Sequence, residues 1–301
     1  MARINGTEGA DFLVGTRPAD TIFGLGGDDG AYGLDGNDQI DLGDGNDFGI
    51  GGPGNDWIAG QAGDDYLEGD DFDTTVPFGN DQLFGGPGND QLYGGGGNDR
   101  LSGNGDNDFL EDFSGNNTLI GGDGDDQLRG GFGNDRHLGG AGNDILYDLG
   151  GTNRLEGGDG SDYIQGAGAL LGGAGDDWLA TSGSAFSASS ALNGGTGADG
   201  FQVYLMASTD PFAARSSVAI QDFRHGDGDH LHISASAETP VGAFFASGAD
   251  LFKAFDSNGS GVLGDGDAFA ERAAGGGVVA HWFNADLVLR GDQTTATDWL
   301  S

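Results

Sequence analysis

The nine residues from Gly85 to Tyr93, GGPGNDQLY, recur in close copy from about Gly6 to Gln202. The shared pattern is GGxGxDxUx, with U a large apolar residue, and it runs nearly unaltered from Gly51 (GGPGNDWIA), Gly139 (GGAGNDILY) and Gly157 (GGDGSDYIQ). Its glycines permit the positive φ angles and close backbone approach of a tight turn. The last three residues then read as a very short strand with one side chain pointing inward. Two such units complete one coil, so residues eighteen apart stack at the strand spacing of about 4.8 Å. The chain therefore reads as all-β, a parallel roll of stacked turns.

Composition bounds the rest. The 301 residues carry a formal net charge of −38, with 49 Asp and Glu against 11 Lys and Arg, 65 Gly and no Cys. That charge argues against nucleic acid or an anionic membrane surface as a partner. So much glycine and carboxylate leaves a metal-free chain poorly able to offset its ordering entropy, and divalent cations are the obvious remedy. Without Cys there is no disulfide stapling. No apolar run approaches the roughly 20 residues that a membrane-spanning helix needs. Met1-Ala2-Arg3-Ile4 leads into the first repeat without the apolar core of a secretory signal.

The sixth position of the pattern is filled at Asp11, Asp20, Asp29, Asp38, Asp47, Asp56 and Asp65, each nine apart. Between Asp65 and Asp81 the turn from Gly69 carries about seven extra residues, an elongation that keeps the strands alternating. The series resumes at Asp90, Asp99, Asp108, Asn117, Asp126, Asp135, Asp144, Asn153 and Asp162, and reaches Asp177 and Asp199 after two irregular turns. Alternation sorts these into two edges. One reads Asp11, Asp29, Asp47, Asp65, Asp90, Asp108, Asp126, Asp144, Asp162, Asp177 and Asp199 without a replacement. The other reads Asp20, Asp38, Asp56, Asp81, Asp99, Asn117, Asp135 and Asn153, then loses its acids: the next turn is only Gly166-Ala167-Gly168, and the one after is the Ser-rich Thr181 to Ser190. The expectation is one continuous metal edge and one that is metal-poor toward the C-terminal end.

Acid-bearing turns at this spacing suit Ca²⁺, a hard cation that takes six to eight oxygens at roughly 2.3–2.6 Å. Filling every gap between stacked acids would place about 17 ions in the chain, nearly cancelling its charge. Asn offers an oxygen without charge, so the gaps flanking Asn117 and Asn153 are expected to bind more weakly. In these residues the chain resembles the RTX (repeats-in-toxin) nonapeptide family, the hemolysin-type calcium-binding repeats. The resemblance implies a right-handed parallel β-roll in which the sixth-position Asp and turn carbonyls hold multiple Ca²⁺ between stacked turns.

Eighth-position residues from Leu13 to Leu179, among them Ile22, Ile40, Leu67, Leu92, Leu110 and Leu146, are expected to form a thin core between two sheets, each contributing roughly 1.5–3 kcal/mol on burial. Ala31, Gly49 and His137 break the series and mark places for gaps or register shifts, with His137 read as a tolerated replacement. Seventh and ninth positions face outward. One sheet carries Phe12, Tyr32, Phe48, Tyr66, Tyr93, Phe109, Tyr147, Tyr163 and Trp178, and the other Arg100, Arg136 and Arg154 with Phe23, Trp57 and Phe84. Such an aromatic row fits strand propensity, and it is also a surface for sugar rings or a second copy.

The period ends near Val203, dividing the chain into a roll over 1–202 and a small α+β cap over 203–301. Val218 to Ser234 is similar to the strand-turn-strand that closes RTX rolls, and Asp222, Asp227 and Asp229 offer a further calcium position, with zinc at His225, His230 and His232 a weaker alternative. Asp256-Ser257-Asn258-Gly259-Ser260-Gly261-Val262-Leu263-Gly264-Asp265-Gly266-Asp267 fits the EF-hand template, with Asp256, Asn258, Ser260 and Asp267 as ligands, flanked by Leu251–Phe255 and Ala268–Ala274 of helical character. Asp267 is shorter than the usual Glu, which weakens closure. Val278–Phe283 and Leu287–Arg290 read as a hairpin. The tail Thr294–Ser301 resembles uncleaved RTX export signals, which implies type I secretion machinery as a partner. HExxH, GxSxG and phosphate-binding loop motifs are all missing, so no catalytic activity is expected. The reading is a secreted calcium-binding surface, matrix or adhesion module that folds on meeting extracellular Ca²⁺, with a non-catalytic polysaccharide-binding module as the alternative.

Overall fold

Short strands form where each repeat places its apolar eighth residue, because glycine turns on both sides leave only about three residues to run extended. The computed structural model describes residues 1–70, 78–181, 190–207, 216–223, 228–239, 242–247, 270–272, 278–282 and 285–291, in two units, Met1–Gly150 and Gly151–Ser301. The EF-hand-like loop 256–267, residues Asp227 and His225, and the tail 294–301 lie outside the described residues.

In Met1–Gly150 the strands alternate between two parallel ladders. One runs β1 (Arg3–Asn5), β3 (Thr21–Gly26), β5 (Gln39–Asp44), β7 (Trp57–Ala62), β9 (Gln82–Pro87), β11 (Arg100–Gly105), β13 (Thr118–Asp123) and β15 (Arg136–Ala141). The other runs β2 (Phe12–Val14), β4 (Gly30–Tyr32), β6 (Phe48–Ile50), β8 (Tyr66–Glu68), β10 (Gln91–Tyr93), β12 (Phe109–Glu111), β14 (Gln127–Gly130) and the start of β16 (Ile145–Asp159). Partners stand eighteen apart, as in Thr21↔Gln39. Across the elongated turn both ladders step by 25, in Trp57↔Gln82 and Tyr66↔Gln91, so the insertion leaves the pairing in phase.

The core is the inward row of eighth positions: Ile22, Ile40, Ile58, Leu83, Leu101 and Leu119 from one ladder and Leu67, Leu92, Leu110, Leu128 and Leu146 from the other are fully buried. Of the gaps or register shifts expected at Ala31, Gly49 and His137, no register shift occurs. Ala31 pairs with Gly49 and Leu119 with His137 in step. At Gly49 the missing side chain is replaced by Leu42, itself fully buried, whose Cδ1 would lie 3.1 Å from a Cβ placed on Gly49.

Gly151–Ser301 keeps the parallel pairing with irregular steps. Strand β17 (Tyr163–Ala174) pairs its first half with β18 (Trp178–Thr181) and its second with β19 (Ser190–Thr196), so Gly166-Ala167-Gly168 is a passage within one strand. Strand β18 then pairs with β20 (Gly200–Ala207) and β20 with β22 (His230–Thr239), while β19 pairs with β21 (Ser216–Phe223). Strands β21 and β22 thus extend different ladders, one more coil of the roll pattern. Antiparallel pairing enters at the end: β22 with β23 (Gly242–Ser247), β24 (Ala270–Arg272) with β25 (Val278–Trp282), and β25 with β26 (Ala285–Gly291). The hairpin is present, with Ala285 and Asp286 already in strand. The helical reading of Ala268–Ala274 is corrected at Ala270–Arg272, a strand paired antiparallel with Val278–Ala280, a segment whose two valines favour extended backbone. Among the described residues the secondary structure is strand throughout, with no helix.

Candidate metal centre

Each repeat turn delivers a sixth-position Asp, or Asn at 117 and 153, and the two carboxylate oxygens of each Asp have different surroundings. Oδ1 accepts the backbone N–H of the sixth residue one coil earlier. In Met1–Gly150 this links Asp11, Asp29, Asp47, Asp65, Asp90, Asp108, Asp126 and Asp144 at 2.7–2.9 Å. It also links Asp20, Asp38, Asp56, Asp81, Asp99, Asn117 and Asp135 at 2.6–2.8 Å. In Gly151–Ser301, Asp162, Asp177 and Asp199 are joined in the same way, and Asp199 donates in turn to Asp229 at 3.1 Å. Asn153 is buried in the same unit. Asp222 accepts the N–H groups of Gly194 and Gly195 at 3.0 and 2.7 Å.

Oδ2 is the chemically informative atom. At Asp29, Asp38, Asp47, Asp56, Asp65, Asp81, Asp90, Asp108, Asp126 and Asp177 it is buried with no hydrogen-bond donor. At Asp29, Asp38, Asp56, Asp81, Asp126 and Asp177 it faces the first glycine of its own repeat and a carbonyl of the next coil. A Cβ placed on Gly51 would stand 2.4 Å from Asp56 Oδ2 and 2.7 Å from the Gly69 carbonyl oxygen; on Gly121 it would stand 2.1 Å from Asp126 Oδ2 and 2.7 Å from that of Gly139. Glycine is required there because any side chain would fill the space where these oxygens converge. Asp11 and Asp20 differ, since Thr7 and Thr16 each donate a hydroxyl and a backbone N–H to Oδ2.

Stacked buried carboxylates repel one another least when protonated, and their pKa values show it. Burial, with the neighbouring Asp charges adding to it, pushes Asp38, Asp47, Asp126 and Asp199 up to about 6, Asp90 and Asp177 to about 7, Asp56, Asp65 and Asp108 to about 8 and Asp81 to about 9. Asp20 is instead held low by the Thr16 hydroxyl and the Ala2 N–H. A buried unpaired carboxylate costs several kcal/mol, and a cation among them removes that penalty. Among the described residues no three His, Cys, Asp or Glu side chains converge; the carboxylates share each space with main-chain carbonyls. An all-oxygen set of this kind fits Ca²⁺.

Three features escaped the sequence reading. Fifth-position residues form exposed ladders, as in Asn98 N–H to Asn80 Oδ1 and Asn116 N–H to Asn98 Oδ1, both at 2.8 Å. Two further acids, Asp112 and Asp148, are buried at the first position of their repeats. Burial and the facing Asp99 carboxylate push Asp112 up to about 10. His137 is fully buried, its Nε2 3.6 Å from Asp148 Oδ2, and burial holds its pKa well below the usual imidazole range. The signal for the two acids was the loss of glycine from the first position.

No helix of the described residues is long and apolar enough to cross a membrane. A search among curated proteins finds no match. The family model described as RTX calcium-binding nonapeptide repeat (4 copies) matches residues 5–40, 41–76, 78–110, 113–146 and 138–169, together more than half of the chain. With a parallel β-roll, glycine turns at a nine-residue period and an inward row of acid oxygens behind that match, the chain belongs to the RTX calcium-binding nonapeptide repeat family.

Proposed function

We propose that the sixth-position residues of both edges are the calcium ligands of this chain, with Asp256, Asn258, Ser260 and Asp267 as a further, weaker set. In this reading 1–202 is the roll and 203–301 its cap. The protein passes unfolded through type I secretion machinery, orders on meeting extracellular Ca²⁺, and serves as a rigid surface, matrix or adhesion module. The observation that carries the reading is the row of buried Oδ2 atoms without donors, from Asp29 to Asp126, in spaces that glycine keeps open. Ordering coupled to binding follows, since a chain of this charge gains its stacked turns only with ions among them. Sedimentation of the full chain with and without Ca²⁺ tests the role: calcium-dependent self-association without glycan binding supports it, and a calcium-loaded monomer that adheres to nothing counts against it.

One observation favours a second reading, a polysaccharide-binding face. Phe12, Tyr32, Phe48, Tyr66, Tyr93 and Phe109 form an unbroken row with ring centroids 5.2–5.8 Å apart, closed by the Arg129 guanidinium 5.0 Å from the Phe109 ring. Aromatic faces of this kind stack on sugar rings. Affinity for an acidic polysaccharide that is lost on replacing Tyr66, Tyr93 and Tyr147 by Ala would favour this reading, and absence of any such affinity would remove it.

A further inference from the structure

Regular repeats of this chain begin with glycine at all but three places, Leu42, Asp112 and Asp148. Leu42 is fully buried, which shows that a side chain at the first position points inward. The other two exceptions are acids, and they open the very repeats whose sixth residue is Asn: DFSGNNTLI, ending its turn at Asn117, and DLGGTNRLE, at Asn153. Wherever the sixth carboxylate is lost, a carboxylate appears five residues earlier.

The surroundings of Asp112 explain the exchange. Asn117 keeps the structural half of the sixth-position role, because its Oδ1 accepts the Asp99 N–H at 2.8 Å as an Asp would. Its Nδ2 is buried without a partner. Asp112 is 1 % exposed, and its Oδ1 accepts the Ser114 N–H at 3.1 Å. Its Oδ2 has no donor and enters the preceding coil: a Cβ placed on Gly94 would stand 2.1 Å from it and 2.9 Å from Asp99 Oδ2, which also lacks a donor. At the equivalent Gly51 the second oxygen is a carbonyl. Two buried carboxylates therefore face one space with no positive group beside them. Asp148 is placed differently: it engages the Asp135 side chain thirteen residues earlier, and a Cβ on Gly130 would stand 2.3 Å from its Oδ2 and 2.7 Å from His137 Nε2, so an imidazole shares that space.

We infer that Asp112 is a calcium ligand, supplying between the coils of Asp99 and Asn117 the charge that Asn117 lacks. The inference rests on the calcium reading above. It reverses one expectation: the gap between Asp99 and Asn117 retains two carboxylates and binds as its neighbours do, while the gap between Asn117 and Asp135 keeps a single one and is the weak position.

The test counts ions. Wild-type full chain, Asp112→Asn and the double variant Asp112→Gly with Asn117→Asp are loaded with Ca²⁺, desalted and measured by atomic emission and native mass spectrometry, with far-UV circular dichroism to follow ordering. Asp112→Asn, equal in size and without the charge, is expected to hold one ion fewer, and the double variant, which restores the common repeat, to regain it. Should Asp112→Asn not order at all, recovery of ordering and full count in the double variant supports the same conclusion. An Asp112→Asn chain with the wild-type count and midpoint, or a double variant that stays one ion short, overturns the inference. A wild-type chain that binds no calcium would instead sink the calcium reading itself.

Discussion

A non-glycine residue at positive φ marks where single residues strain this fold. Leu25 (φ 87) and Leu34 (φ 75) occupy the second position of their repeats, where Gly52 and Gly86 elsewhere adopt φ of 94 and 137. Both leucines are exposed, so little apolar burial is forfeited on their removal. Left-handed backbone costs an L-residue about 1–2 kcal/mol, partly offset by the entropy that glycine loses on folding. Leu25→Gly is therefore expected to raise the stability of the calcium-loaded chain by about 0.5–1 kcal/mol, read as a higher Tm. Gly51→Ala works in the opposite direction, since its Cβ would stand 2.4 Å from Asp56 Oδ2; the calcium concentration at half-ordering should rise several-fold. Leu110→Ala empties a fully buried place in the core row and should cost about 2–5 kcal/mol, measured by chemical denaturation in Ca²⁺. At this scale the sixth and eighth positions were legible because glycine period and apolar phase mark them directly. Leu42, Asp112 and Asp148 were not, because only stacking of coils reveals that the first position points inward.

At the scale of the turn and its two strands, the buried carboxylates of the two edges titrate over one raised range. In the metal-free roll their pKa values lie above the ordinary 3.8, from about 6 at Asp47 to about 9 at Asp81. The folded metal-free form thus holds more protons than the unfolded chain, so its stability is fully present below about pH 4 and falls as pH rises toward 9. In chelator, more strand signal is expected at pH 5 than at pH 8, and protons should compete with Ca²⁺ so that the ordering midpoint moves to higher calcium as pH drops below about 6. Circular dichroism at the two pH values checks both; equal metal-free signal at each would contradict the burial of these acids. The elongated turn was legible to the residue, its seven extra positions reappearing as the step of 25 in both ladders. The final elements were less so. With steps of 15, 22 and 30 at Asp162, Asp177 and Asp199, no fixed period announces the partner of a strand. The antiparallel pairs β22 with β23 and β24 with β25 lie beyond the repeat, where no glycine period marks a partner.

For the whole chain, charge decides the conditions under which it folds. A net charge of −38 distributed over glycine-rich turns opposes compaction through self-repulsion, while the apolar core is a single row of Leu and Ile side chains along each ladder. Cation binding by the folded state alone shifts the balance by mass action, which makes calcium a component of the fold rather than an addition to it. Screening by monovalent salt reaches exposed charges and much less the buried Oδ2 row, so sodium chloride at matched ionic strength should not substitute for Ca²⁺. The most direct measurement is small-angle scattering and far-UV circular dichroism on the full chain at neutral pH, before and after exhaustive EGTA treatment, with bound metal counted in each state. The account predicts many ions and a compact strand-rich chain before treatment, then expansion and loss of strand signal after it, both reversed by adding Ca²⁺. A chain that stays compact and spectroscopically unchanged with its calcium removed would contradict it.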